Sequence, residues 1–168
     1  AKMINYALLY GKTAFTLSKD IGVTPQAAQE FIDAYFAGFP RVREFIDRTL
    51  AEARASGVVK TMYGRRRGVP DLTSKNVQMR MAAERVAVNL PIQGTAADIM
   101  KRAMIDVHGA LRTRPDARMI LTVHDELLFE VPEAKAEDVA AIVRDKMQGA
   151  ATLAVPLTVD VGIGPNWN

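Results

Sequence analysis

Two apolar runs, Met119-Ile120-Leu121-Thr122-Val123 and Leu127-Leu128-Phe129-Glu130-Val131, flank the charged tripeptide His124-Asp125-Glu126. Large and β-branched residues in runs this short favour strand, and a polar tripeptide between two such runs reads as the tight turn of a hairpin. That pattern excludes an all-helical fold for the last third of the chain. It also sets two carboxyl groups side by side, where they repel unless something compensates them. A divalent cation would do so, because hard oxygen ligands suit magnesium. A solvated polar turn would carry the same residues.

The chain before this hairpin reads very differently. Residues 1–10 form an apolar-periodic stretch stopped by Gly11, and Thr13 to Gly22 reads as a short second helix. Thr24-Pro25 matches an N-cap followed by proline at the first helical position, with Phe31, Ile32, Tyr35 and Phe36 at helical spacing after it. Another amphipathic helix spans about Pro40 to Ser56, with Val42, Phe45, Ile46 and Leu50 on one face and Gly57 at its end. Residues 58–63 favour strand, Gly64 begins a turn carrying Arg65-Arg66-Arg67, and Val69-Pro70-Asp71 reads as loop. A long helix from about Lys75 to Leu111 should kink or break at Pro91, which lacks an amide donor. Beyond the hairpin come a helix over Lys135 to Gln148, a strand over Leu157 to Val161, and a tail ending near Trp167, whose ring is expected to pack against the C-terminal part or else to stand exposed at the terminus. Helices first and mixed strands later predict an α+β fold: a helical lobe joined to a small antiparallel sheet with packed helices.

Composition narrows the function. With 168 residues, 49% apolar and 24% charged, the chain has enough apolar material for a core in one domain or parts of two. A net charge of +3 is compatible with a polyanionic partner. The absence of cysteine excludes disulfides and thiolate metal sites. No apolar run approaches the length that spans a bilayer, and the first residues lack a secretory-signal pattern. Residue 1 is alanine and helix-like sequence follows at once, so a fragment of a longer protein is expected.

Three more clusters bear on chemistry. Lys2, Tyr6 and Tyr10 recur every four residues and so share a helix face. Such a stripe suits a nucleotide, with the ammonium on phosphate and a ring on sugar or base, although aromatic stripes also serve as core. Arg85, Asn89 and Gln93 have the same spacing and offer donors and acceptors for minor-groove base edges, or equally a solvated face. The arginine triplet 65–67 suits phosphate contact or a plain charged surface.

In this order the segments resemble the family A DNA polymerases, the bacterial DNA polymerase I group. Lys2 to Tyr10-Gly11 looks like motif B. Gly64-Arg65-Arg66-Arg67, then Arg85, Asn89, Pro91 and Gln93-Gly94-Thr95-Ala96-Ala97-Asp98 follow, and Val123-His124-Asp125-Glu126 is similar to motif C. The resemblance covers essentially the whole chain. It implies a fingers subdomain over residues 1–70 and a partial palm over 71–168. It implies that Lys2 binds the phosphates of the incoming deoxynucleoside triphosphate, that Tyr6 lies against its sugar, and that Tyr10 stacks where the templating base sits. Arg85, Asn89 and Gln93 would touch the primer–template minor groove, and His124 would lie near the primer terminus. Asp125 would be the carboxylate that binds catalytic magnesium, with Glu126 beside it in the catalytic group. The implied activity is template-directed DNA synthesis with two magnesium ions, in replication or repair. The implied setting is the bacterial cytoplasm, at the nucleoid.

The chain departs from the family pattern in two respects: the arginine that opens motif B, four residues before the lysine, would fall before Ala1, and the second metal-binding aspartate is missing. Motif A, with the second metal-binding aspartate, would lie upstream of Ala1, and no other aspartate here matches it. The chain alone is therefore expected not to polymerise, and the rest of the palm and the thumb are expected elsewhere in a parent protein. The alternative is a non-catalytic DNA-binding module that retains the fold. A metal-dependent phosphohydrolase is disfavoured, because only His108 and His124 are available and His108 reads as surface.

Overall fold

The computed structural model describes the backbone of residues 2–9 and 11–167, and the side chains of these except at positions 2–4 and 7. Four helices come first: α1 (Lys2–Leu9), α2 (Ala14–Ile21), α3 (Pro25–Gly38) and α4 (Pro40–Ser56). Their ends are set locally. The Thr13 and Thr24 hydroxyls accept from the amides of Thr16 and Ala27, which satisfies donors with no partner inside the helix. Gly22 and Gly57 close α2 and α4 in the left-handed conformation, each at φ 69°, where a Cβ would be strained.

A hairpin follows, of β1 (Val58–Lys60) and β2 (Arg66–Gly68), paired antiparallel. The expected strand over 58–63 is thus shorter, and the arginine triplet is not all turn: Arg66 and Arg67 lie in β2, opposite Lys60 and Val59. The loop expected at 69–71 contains a 3-10 turn, Pro70–Thr73, whose Leu72 is buried. α5 (Val77–Asn89) starts two residues after Lys75, because the Asn76 side chain caps it by accepting from Gln78 and Met79. The interruption at Pro91 takes the form of a π-turn, Leu90–Gly94, before α6 (Thr95–Leu111). The final elements are β3 (Arg118–Val123), β4 (Glu126–Glu130) and α7 (Ala136–Gln148).

The chain divides into two compact units, residues 1–95 and 96–168. The first holds two clusters. Leu8, Leu17, Ala28 and Ile32 join α1, α2 and α3; Ala53, Val59, Val69, Leu72, Ala83 and Ala87 join α4, α5 and the first hairpin. Alanines at the α4–α5 contact let the two backbones come close, and an Arg54–Glu84 ion pair of 2.6 Å spans the same pair of helices. In the second unit Val107, Leu111, Val139 and Val143 join α6 to α7, with Met119 and Phe129 of the β3–β4 hairpin against them. A bulge at Ile120 breaks the register between Met119↔Phe129 and Leu121↔Leu128.

The strand expected over residues 157–161 is absent. That segment carries no assigned strand, although Leu157, Val159 and Val161 are half-buried and Thr158 and Asp160 exposed. A period of two sets the faces of an extended chain, but a strand also needs a neighbour for its backbone donors and acceptors, and none pairs with it among the described residues. The α+β class itself holds, with helices first and small antiparallel hairpins among them.

Candidate nucleotide and nucleic-acid sites

Helix α1 is anchored by Leu8, which is 2% exposed, whereas Tyr6, two positions earlier and so on the far side of the helix, is 49% exposed. The tyrosine is therefore not core, which was the competing reading of this stripe. Lys2 opens the same helix, and Tyr10 lies outside the described residues. Gly11 follows at φ 73°, with its amide bonded to the Leu8 carbonyl. Only a residue without a Cβ turns the chain there at little cost.

The second stripe lies in the same unit. Arg85 and Gln93 are exposed and Asn89 is half-buried. The Asn89 Oδ1 is itself buried, and no hydrogen bond reaches it among the described residues. A buried acceptor left so costs about 1–3 kcal/mol, which sets Asn89 apart from the other two members of the stripe. Arg85 also borders a cavity of about 100 Å³ between Leu9, Ile46, Leu50, Met81 and Val88.

The arginine hairpin is tied to the π-turn by contacts that the sequence did not signal. The Thr95 hydroxyl donates to the Pro91 carbonyl (2.5 Å) and accepts from the Met62 amide (3.0 Å), and an Arg65 Nη donates to the Gly94 carbonyl (3.1 Å). Thr61 and Thr95 are both buried, and a Cβ on Gly94 would come within 2.7 Å of the Thr61 methyl. The only hint in the sequence was the run of small residues after Gln93. Arg66 and Arg67 remain exposed.

The third constellation, in the other unit, is the β3–β4 turn. Val123 pairs with Glu126, so the loop is only His124-Asp125, and Glu126 belongs to β4 rather than to the turn as expected. His124 sits at φ 53°, alone among the described non-glycine residues in having a positive φ. Strained backbone of this kind collects at functional sites. Asp125 and Glu126 are exposed and form no ion pair among the described residues. Trp167, 56% exposed, borders a shallow depression with Val123, Glu126, Leu127 and Leu128. His108 is exposed on α6, as expected.

As a magnesium site these carboxylates are incomplete. Among the described residues no three His, Cys, Asp or Glu side chains come together closely enough to hold a metal ion. An exposed aspartate on a tight turn suits magnesium as one ligand of several, since this ion keeps waters and takes phosphate oxygens beside one or two carboxylates. The described residues do not make a metal site by themselves. No helix among them is long and apolar enough to cross a membrane.

Comparison with known proteins gives a consistent result. The family described as DNA polymerase family A matches residues 1–168. A DNA polymerase I from Pseudomonas aeruginosa is 53% identical over 100% of this chain and 18% of its own length. The thermostable DNA polymerase I of Thermus aquaticus is 50% identical over 99% of this chain and 20% of its own. Among solved structures, the POL domain of Pol1 from M. smegmatis, in complex with DNA primer-template and dNTP, superposes with a TM-score of 0.91 at 43% identity. That likeness covers 96% of this chain and 29% of that one. The chain thus spans about a fifth of the curated relatives it matches.

Proposed function

The chain belongs to DNA polymerase family A, and from that membership we propose that it supplies the fingers (residues 1–70) and part of the palm (71–168) of a DNA-directed DNA polymerase. The compact units divide at residue 95 rather than 70, because α5 packs on α4. The supporting observation is the match over all 168 residues, with Asp125 exposed on a strained two-residue turn.

In this reading a primer 3′-hydroxyl attacks the α-phosphorus of a deoxynucleoside triphosphate in line, and pyrophosphate leaves. Lys2 grips the phosphates, Tyr6 lies on the sugar and Tyr10 on the templating base. Arg85, Asn89 and Gln93 line the primer–template minor groove, whose degenerate edge pattern reports pair shape more than sequence. His124 stands near the primer terminus, and the 65–67 arginines neutralise phosphates. Asp125 provides one carboxylate toward a magnesium pair, with Glu126 adjacent. Such ions, when bound, would acidify the attacking hydroxyl and neutralise charge on the leaving group. The second carboxylate comes from outside these residues, so the 168 residues alone do not polymerise. The setting is a bacterial cytoplasm, with DNA replication or repair as the process.

The test is Asp125→Ala in the intact polymerase containing this sequence. Incorporation should fall by several orders of magnitude while duplex binding persists, and near-normal turnover would remove Asp125 from the chemistry. Exposed Arg66 and Arg67 would also suit one other reading, a non-catalytic duplex-binding module. It predicts salt-dependent duplex binding by the intact protein with no incorporation before any substitution is made.

A further inference from the structure

Pro91 interrupts the ladder between α5 and α6, and the chain answers with the five-residue π-turn Leu90–Gly94. Had the α-helix continued, 100° per residue would have carried position 93 about 80° around from position 85. The wider i to i+5 turn rotates less per residue and takes up part of that drift, so Gln93 stays nearer the stripe begun by Arg85 and Asn89. A π-turn is rare and occurs mostly as a single turn inside α-helices, and here contacts from outside the helix reach it.

The buried Thr95 hydroxyl does this from two directions. It donates back to the carbonyl of Pro91 and accepts from the Met62 amide at the tip of the first hairpin. One hydroxyl therefore closes the turn and fastens it to a segment 33 residues away in sequence. The Arg65 guanidinium adds a second tie, to the Gly94 carbonyl, and the missing Cβ of Gly94 is what lets the Thr61 methyl sit against the turn. Arg66 and Arg67 lead out of the same tip into β2.

We propose that Thr95 is a positioning residue: its hydroxyl locks the arginine hairpin to the π-turn bearing Gln93, so that phosphate contacts and minor-groove contacts are held as one rigid reading head. The proposal rests on the polymerase reading above. Thr95 itself touches no substrate in it. Its loss would leave DNA bound by the arginines but let Gln93 rotate off the stripe, which degrades the discrimination of mispaired primer ends more than it degrades affinity.

The experiment compares Thr95→Val, which keeps the shape and loses the hydroxyl, with Thr95→Ser, which keeps the hydroxyl, in the intact polymerase containing this sequence. Extension is measured from matched and mismatched primer ends, together with kcat and KM for the nucleotide and hydrogen exchange at the Met62 amide. Expected for valine are faster exchange at Met62, a fall in matched-end kcat of about tenfold with little change in KM, and a smaller matched-to-mismatched ratio, as misplacement of a positioning group produces. Serine should restore all three. If valine leaves the ratio intact, or serine loses it as valine does, the hydroxyl is not the lock and the inference fails while the polymerase reading stands. If the unsubstituted enzyme extends neither end, the polymerase reading fails and takes the inference with it. Should valine prevent folding, Thr95→Ala carries the same comparison under the same criteria.

Discussion

Replacing Gly94 by alanine sets two physical effects against each other. Gly94 has no positive φ and lies in a helical turn, where alanine normally gains about 0.5–1 kcal/mol over glycine. The added Cβ, however, would stand 2.7 Å from the Thr61 methyl and 3.4 Å from a Leu90 methyl. Carbon atoms prefer about 3.5–4.0 Å, so the first contact is too close by roughly 1 Å. Thr61 cannot turn its methyl aside cheaply. It is β-branched and 5% exposed, and its hydroxyl accepts from the Arg65 amide. Overpacking of this kind costs about 1–3 kcal/mol, which exceeds the propensity gain. The expected net is destabilisation of about 1–2 kcal/mol, or a few degrees of melting temperature for a chain of this size. Urea titration of the 168-residue chain measures it. Thr61→Ser removes the offending methyl and keeps the hydroxyl, so Gly94→Ala in that background should cost less by about 1 kcal/mol or more in a double-mutant cycle. Should Gly94→Ala be neutral or stabilising, or the cycle show no coupling, the close approach does not restrain this turn.

Further expectations concern other positions. Tyr6→Phe in the intact polymerase should lower dideoxynucleotide use relative to deoxynucleotide, because a phenolic hydroxyl can replace a missing sugar hydroxyl near the triphosphate; an unchanged ratio removes Tyr6 from sugar recognition. Arg66→Ala with Arg67→Ala should flatten the salt dependence of duplex binding by about one phosphate contact per arginine; an unchanged slope places them outside the interface. The Lys135 ammonium hydrogen-bonds the Asp116 carboxylate and holds its pKa below the ordinary aspartate value, with Arg114 adding a weaker pull. A depressed carboxylate stabilises the fold above its unfolded pKa and loses that contribution as pH falls through the folded one, so the effect belongs to the acid range. Lys135→Met should bring the Asp116 carboxyl titration, followed by NMR, back up toward the ordinary value. High salt should do part of the same, since the pair is exposed. An Asp116 pKa indifferent to both would refute the assignment.

What the sequence determined alone was local or linear. Helix ends at Thr13, Gly22, Thr24 and Gly57 were legible because a cap acts on amides or carbonyls within one turn. The β3–β4 hairpin was legible because its two runs are neighbours in the chain, and the family was legible because its motifs keep their order. Tertiary structure decided the rest. The 157–161 segment shows the alternation of a strand and is none, since pairing depends on a neighbour that no periodicity supplies. Tyr6 could have been core or surface at the same spacing, and the burial of Leu8 beside Leu17 and Ile32 chose surface. The break at Pro91 was written in that residue's missing donor, but its form as a π-turn was fixed by Thr61, Met62 and Arg65, some thirty residues away in sequence. A cap or a turn draws its energy from adjacent atoms, whereas a face, a ladder or a lock draws it from atoms that only folding brings near.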